Sequence, residues 1–127
     1  IGYYDSTPGS QDYPYPAMSW LYPDRGDFIA VVGRMQDINA VRQVKAALLS
    51  SRDLSVYSMN APGFIPGIDF SDHLNYWQHD IPAVMITDTA FYRNKQYHLP
   101  GDIADRLNYQ KMAQVVDGVT TLLYNSK

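Results

Sequence analysis

Glutamate and cysteine are both absent from this 127-residue chain, so all 13 of its acidic residues are aspartate. A mechanism that needs a glutamate, as general base or as metal ligand, therefore cannot be completed by these residues alone. Without cysteine there is neither a disulfide framework nor a thiolate zinc site, and the redox compartment is left undetermined. Long hydrophobic runs are missing too. No stretch approaches the roughly 18–20 apolar residues that cross a bilayer, and the first residues do not read as a signal peptide. An excess of basic charge is also lacking: a formal charge of −3 and a pI near 5.4 argue against nucleic acid or an anionic membrane as the main partner. The chain starts at Ile1 rather than at a methionine, as expected of a processed chain, a fragment or a cut segment.

What is present suffices for a core. With 46% hydrophobic and 13% aromatic residues the chain is not a disordered segment. Its length fits a single domain over 1–127, or part of one. Ile1 to Tyr4 reads as the tail of a strand, followed by a turn at Asp5-Ser-Thr-Pro-Gly9. From Ser6 to Arg25 the density of Pro, Tyr and Gly predicts a long ordered loop pinned by aromatics, because a flexible linker rarely spends so many Tyr and a Trp on solvent. Phe28 to Gly33 is a short continuous apolar run typical of a buried strand. Asp37 is placed to cap a helix reaching about Ser51, with Ile38, Val41, Val44 and Leu48 on one face. Leu54, Val56 and Tyr57 suggest a second strand, and Ala61 to Gly67 a surface loop. Ser71 could cap a short helix through Trp77 or His79. Ile81 to Thr87 reads as a third buried strand ending at Asp88, and Thr89 to Arg106 as a loop. A last helix runs from about Tyr109 to Tyr124, its apolar face being Met112, Val115, Val116, Val119 and Leu122 or Leu123. Alternation of strands and helices, with strands apolar on both faces, predicts an α/β fold whose sheet is covered by helices on both sides.

In open α/β sheets the loops and helix N-termini at strand ends gather ligands. Asp88 with the loop to His98, and the segment Asp69 to His73, belong at such a place. A histidine in a loop can bind metal, its imidazole oriented by a carboxylate such as Asp102, or it can be a surface or hydrogen-bonded histidine. His73 and His79, six apart, are in poor helical register for shared coordination and read as structural. No HExxH, CxxC, GxSxG or phosphate-loop pattern occurs.

The strings Ser71-Asp72-His73-Leu-Asn-Tyr-Trp77, Ile81-Pro-Ala-Val-Met-Ile-Thr-Asp88, Thr89-Ala-Phe-Tyr-Arg93-Asn94, Tyr97-His98 and Asp102-Ile-Ala-Asp105-Arg-Leu107-Asn-Tyr109 together resemble the C-terminal part of the co-catalytic zinc aminopeptidases, a family that includes the single-zinc glutaminyl cyclases. Ile1-Gly2-Tyr3-Tyr4 resembles the stretch just after an acidic zinc ligand of that family, and Asp27 to Gly33 its next strand. Each motif is loose; their order and spacing over nearly the whole chain are more specific. The resemblance implies a part of a three-layer α/β/α zinc-exopeptidase sheet, as a fragment. It makes His98 the last zinc ligand. It gives Asp72 a catalytic role near the substrate, as a proton relay or as support for one. His73, Trp77 and Tyr97 would shape the substrate pocket, although His73 and Trp77 fit helix packing equally well. Asp102 would orient the loop or the imidazole. Asp88 and Arg93 also fit the family's pattern, and a structural salt bridge or loop hydrogen bonds would explain them as well. Leu99 and Ile103 stand where the family commonly has Thr, and Lys95 where it commonly has Pro, which puts the loop's hydrogen bonding in question more than the fold.

Zinc hydrolysis needs about three protein ligands, an open position for a water whose pKa falls to about 7, and a base. In the family the other ligands and the glutamate base lie upstream of the position matching Ile1. The resemblance thus implies a zinc-dependent aminopeptidase, with two zinc ions and a peptide substrate in the complete enzyme, of which this chain holds one ligand and a pocket wall and is inactive alone. The N-terminal part of the catalytic domain would be its first partner, and open sheet edges would favour a homo-oligomer. Only the resemblance points to a secreted or periplasmic location. Two alternatives stand beside this reading: a non-catalytic binding or scaffold protein that keeps the fold, and a glutaminyl cyclase.

Overall fold

A computed structural model describes residues 1–125. The α/β class is what the chain adopts. Its elements are β1 (Ile29–Gly33), α1 (Ile38–Leu49), β2 (Val56–Asn60), α2 (His73–Gln78), β3 (Met85–Thr87) and α3 (Tyr109–Asn125), with short 3-10 segments before β1, between β1 and α1, and twice between β3 and α3. The sheet order is β2-β1-β3. β1 and β2 run parallel, Ile29 opposite Val56 and Gly33 opposite Asn60. A parallel pair needs a crossover, which α1 provides. β3 runs antiparallel to the other side of β1, Val31 opposite Ile86.

The period of two along β1 sends its side chains to two cores. Ile29 and Val31 face α1 and α3, in a cluster with Val41, Val44, Leu48, Leu54, Val56 and Val115. Val32 points the other way, to Ala61, Ile68 and Trp77. Val41, Val44 and Leu48 form the predicted stripe on α1, and burying each contributes on the order of 1.5–3 kcal/mol. Asp37 stands at the N-terminus of α1 but does not cap it with its side chain. Its buried carboxylate accepts from Arg34 Nε at 2.7 Å and Nη2 at 3.2 Å, an ion pair that competes for the oxygens a cap would need.

α3 lies directly on α1. At Gly118 a Cβ would sit 2.8 Å from Leu48 Cα, which is backbone and cannot swing aside. Gly118→Ala should therefore destabilise the fold by about 1–3 kcal/mol through overpacking, although alanine is the better helix former by up to about 1 kcal/mol. Thermal unfolding of the variant checks the sign.

Two features differ from expectation. Ile1 to Tyr4 form no strand; the Gly2 carbonyl accepts from the Asn108 N–H at 2.8 Å, and just after the segment Asp5 makes an isolated bridge with Gly26. β3 is short, because Pro82 offers no N–H and the Ala83 carbonyl accepts from Trp77 Nε1 at 2.9 Å instead of from a strand. The second face of the sheet carries a single short helix, α2. Beyond α2, the inner side chains Ala30, Tyr57, Met59 and Met85 floor an open cavity roofed by loops.

The Tyr- and Pro-rich loop is ordered, as its composition predicts. Tyr13 Oη donates to the Pro23 carbonyl at 2.7 Å, and Tyr22 Oη to the Ser58 carbonyl of β2 at 3.1 Å. Its tip departs from that reading: Trp20 is 87% exposed and Leu21 77%. No helix among the described residues is long and apolar enough to cross a membrane.

Candidate functional site

The chain leaves β3 at Thr87 and turns sharply at Thr89 and Ala90, both in the left-handed region at φ 68° and 48°. Asp88, at this turn, is mostly buried. Its Oδ2 accepts from the Gly2 and Tyr3 N–H groups, each at 2.9 Å, and its Oδ1 from the Ala90 N–H at 3.3 Å. Burial alone would raise the Asp88 carboxyl, but the Tyr3 and Ala90 N–H groups that donate to it help hold it below the usual carboxylate range. Asp88 is thus an anionic anchor that folds the first residues of the chain back against the end of β3.

Arg93 lies one turn further on and is 2% exposed. Its Nε donates to Gln11 Oε1 at 3.0 Å, and its Nη1 to the Tyr3 carbonyl at 3.1 Å and the Phe28 carbonyl at 2.9 Å. The guanidinium also stacks over the Phe28 ring, 4.6 Å from its centroid. Burial pulls its pKa below the usual arginine value, and the nearby Asp88 charge acts the other way. Gln11 Oε1 also accepts from Thr89 Oγ1 at 3.0 Å, so one guanidinium gathers the first residues, the Tyr-rich loop and the start of β1 at the same turn. Neither Asp88 nor Arg93 pairs with the other; loop hydrogen bonds, not a mutual salt bridge, are their structural work.

The loop then reaches Tyr97 and His98. The His98 backbone is left-handed, φ 59°, and its exposed imidazole stacks on Tyr97 with centroids 4.0 Å apart. Asp102 grips this loop by its backbone: its Oδ2 accepts from the His98 N–H at 3.2 Å, and its Oδ1 from Asn94 Nδ2 at 2.8 Å. Buried Asn94 in turn accepts at Oδ1 from the Gln96 N–H at 3.0 Å and Arg106 Nη1 at 3.3 Å. Of the two roles foreseen for Asp102, orienting the loop or the imidazole, the geometry has the first. Asn94 and Arg106 were not foreseen in this brace.

His98 and Tyr97 stand on the rim of the cavity that the sheet's second face floors. Its volume is about 550 Å³, and Ile1 and Asp88 border it as well. A smaller recess on the other side of Tyr97, bounded by Asp102, Asn94 and Met112, shares Ile1 and Asp88 with it. The remaining predicted residues lie elsewhere. Asp72 is exposed at the start of α2, with no side-chain cap bond, although its neighbours Phe70 and Ser71 border the large cavity. His73 and Trp77 pack in the second core and do not border it. The His73 Nε2–H donates to the Ile68 carbonyl at 2.6 Å, and its ring meets Trp77 edge-on at 4.4 Å. Of the two readings left open for these residues, helix packing describes their contacts. The cavity walls that sequence reasoning missed are Tyr13, Met18, Tyr22 and Tyr57.

The His98 side chain is exposed, and no hydrogen bond to its ring nitrogens is found among the described residues. Among those residues no three His, Asp, Glu or Cys side chains converge as a metal site. A metal held at His98 would need further donors.

No family model matches the chain, and no solved structure matches it. Over all 127 residues it is 94% identical to the uncharacterized protein YfbL of Escherichia coli (strain K12), and it spans 39% of that protein's length.

Proposed function

We propose that this chain is the C-terminal part of a zinc-dependent aminopeptidase, to which it contributes one metal ligand, His98, and a wall of the substrate site. The observation that carries the reading is the setting of His98, an exposed imidazole with free nitrogens on a braced loop at the rim of a large apolar cavity. The ordered motif series adds support, as does the greater length of a 94%-identical relative, which leaves room for further ligands and for the glutamate base that this chain lacks.

Zinc, when bound, would polarise the scissile carbonyl and acidify a water molecule. This chain's own residues would do the rest of their work around it. His98 would hold the ion, Asp102 and Asn94 fix the loop that carries His98, and the cavity would receive the substrate's N-terminal residue. By itself the 127-residue chain is expected to hydrolyse nothing. The outer edges of β2 and β3 pair with no strand among the described residues, and further strands of a longer protein, or a second copy, would add there.

The test uses a protein of the relative's full length, assayed with aminoacyl-p-nitroanilides and with peptides that begin in glutamine. Hydrolysis that stops on chelation and returns with zinc is the expected outcome. Pyroglutamate formation would give the site to a cyclase, and bound zinc with neither activity would favour a non-catalytic protein. Asp102→Ala should weaken zinc binding about 10–100-fold, the usual cost of losing a group that positions a ligand. A chelator-competition titration measures it, and an unchanged affinity would remove Asp102 from the site.

A further inference from the structure

One face of α3 is accounted for within the fold. Val115 and Gly118 are buried against the first core and α1, and Met112, Val119 and Leu122 are half-buried beside them. On a helix that stays in water, the opposite face should be charged and polar. Here it is not: among the exposed residues of α3 only Asp117 carries a charge. Tyr109, Ala113, Val116, Thr120 and Leu123 follow one another at alternating spacings of four and three, the pattern of a seam between packed helices. Tyr109 is 59% exposed, Val116 57% and Leu123 66%, so the large apolar side chains of this stripe lie in the open.

At about 100° per residue the stripe lies roughly 140–180° around α3 from Gly118, the residue that meets α1 at Leu48. It faces away from α1. On its inner border Met112 packs against Gly2, and the Gly2 N–H donates to Asp88, just after β3, at 2.9 Å. The stripe therefore looks toward the β3 side of the sheet. The outer edge of β3 pairs with no strand among the described residues, so sheet and helix layer are open on the same side.

Two occupants compete for this face, another part of the same molecule and a second copy. The chain spans 39% of the length of its 94%-identical relative, so more than half of such a protein lies outside it. A stable dimer needs about 800 Å² from each partner, and the stripe with its neighbour Tyr124 offers four large, partly covered side chains, of which even a tyrosine buries only about 150–250 Å². A segment of the same molecule needs no such area, because its covalent link gives it a high effective concentration.

We infer that the Tyr109–Leu123 stripe is the docking face for an amphipathic helix from the part of the longer protein outside this chain, packed beside α3 on the side away from α1. That helix would present apolar residues at alternating spacings of three and four, small ones opposite Tyr109 and larger ones opposite Ala113 and Thr120, so that the two surfaces interdigitate. A lysine or arginine on its border would meet Asp117. The inference does not depend on the aminopeptidase reading.

The test uses a protein of the relative's full length and two readouts. Val116→Cys should react with a maleimide at least about tenfold more slowly than Gln43→Cys, an exposed position on α1, because a covered thiol waits for local opening. Both rates are corrected for labelling of the unsubstituted protein, and their ratio should not change on dilution. A benzophenone-bearing phenylalanine analogue in place of Tyr109 should, on irradiation, cross-link within one molecule to a peptide outside the 127 residues, which mass spectrometry identifies. Cross-links between two molecules, or a Val116→Cys rate that climbs to the control's on dilution, would give the stripe to a second copy and overturn the inference. Equal labelling of the two thiols, or no cross-link to a peptide outside the 127 residues, would overturn it as well. If Val116→Cys fails to fold, the Tyr109 cross-link decides alone.

Discussion

Arg93→Met is expected to destabilise the fold by about 4 kcal/mol, among the largest effects any single substitution here should have. The physical reason is the number of groups that depend on one buried guanidinium. Gln11 Oε1 and the carbonyls of Tyr3 and Phe28 accept from it at 2.9–3.1 Å. Hydrogen bonds to a charged group contribute roughly 1.5–3 kcal/mol each, and acceptors left buried without a donor add their desolvation cost. The contributions are not additive, and a methionine would keep the apolar stem and some contact with Phe28, so the sum is not reached. Arg93→Lys should cost less, about 2 kcal/mol, because an ammonium can still donate but lacks the planar fork that reaches several carbonyls at once. Chemical denaturation followed by circular dichroism measures both. A loss under about 1 kcal/mol for Arg93→Met would mean that water or relaxation satisfies these carbonyls, contrary to the network described.

The second large effect falls on His98. In the full-length protein His98→Asn should reduce zinc affinity and kcat/KM by more than about a hundredfold, since even groups that merely position a ligand cost 10–100-fold. Asparagine is the informative substitution because it tolerates the left-handed backbone at this position, where φ is 59°. The exposed ring contributes little to packing beyond its stack on Tyr97, so the melting temperature should hold. Loss of activity without loss of fold separates a metal ligand from a structural histidine.

The elements most legible in the sequence were those whose period is set by burial on one face. α1 and α3 could be read from Val41, Val44 and Leu48 and from Val115 with its neighbours, because each repeats an apolar side chain toward one core, and β1 from the continuous apolar run Phe28 to Gly33, because its two faces meet two cores. β3 was overestimated. The run Ile81 to Thr87 is apolar throughout, but apolarity does not say whether backbone groups pair with a strand, and here Pro82 and the Trp77 indole keep Ala83 out of the ladder. Helices do lie on both faces, α1 and α3 on one and the short α2 on the other; the apolar pattern does not tell how much of the second face a helix covers.

At the site, legibility followed the same division. Tyr97, His98 and Asp102 lie close in sequence, and their proximity in the fold follows from a short loop. Asp72, His73 and Trp77 are also local to one another, but the four-residue spacing that puts His73 and Trp77 on one face of α2 turns both into the core, which is the packing alternative that the spacing already allowed. Arg93 and the Tyr13–Tyr22 wall were hidden because their roles arise from contacts across most of the chain. Arg93 to Tyr3 spans 90 residues, and Tyr22 to Ser58 spans 36. No local period encodes such pairings. The dense tyrosines of the loop signalled that it was ordered, without saying which surface it would close.

Zinc bound to the full-length protein, with and without His98, tests the central claim most directly. Elemental analysis after dialysis against a weak chelator should find stoichiometric zinc in the unsubstituted protein and a clear loss in a folded His98→Asn variant. Equal zinc content in the two proteins, or none in either after reconstitution, would contradict the assignment of His98 as a ligand of a zinc site completed by residues outside this chain.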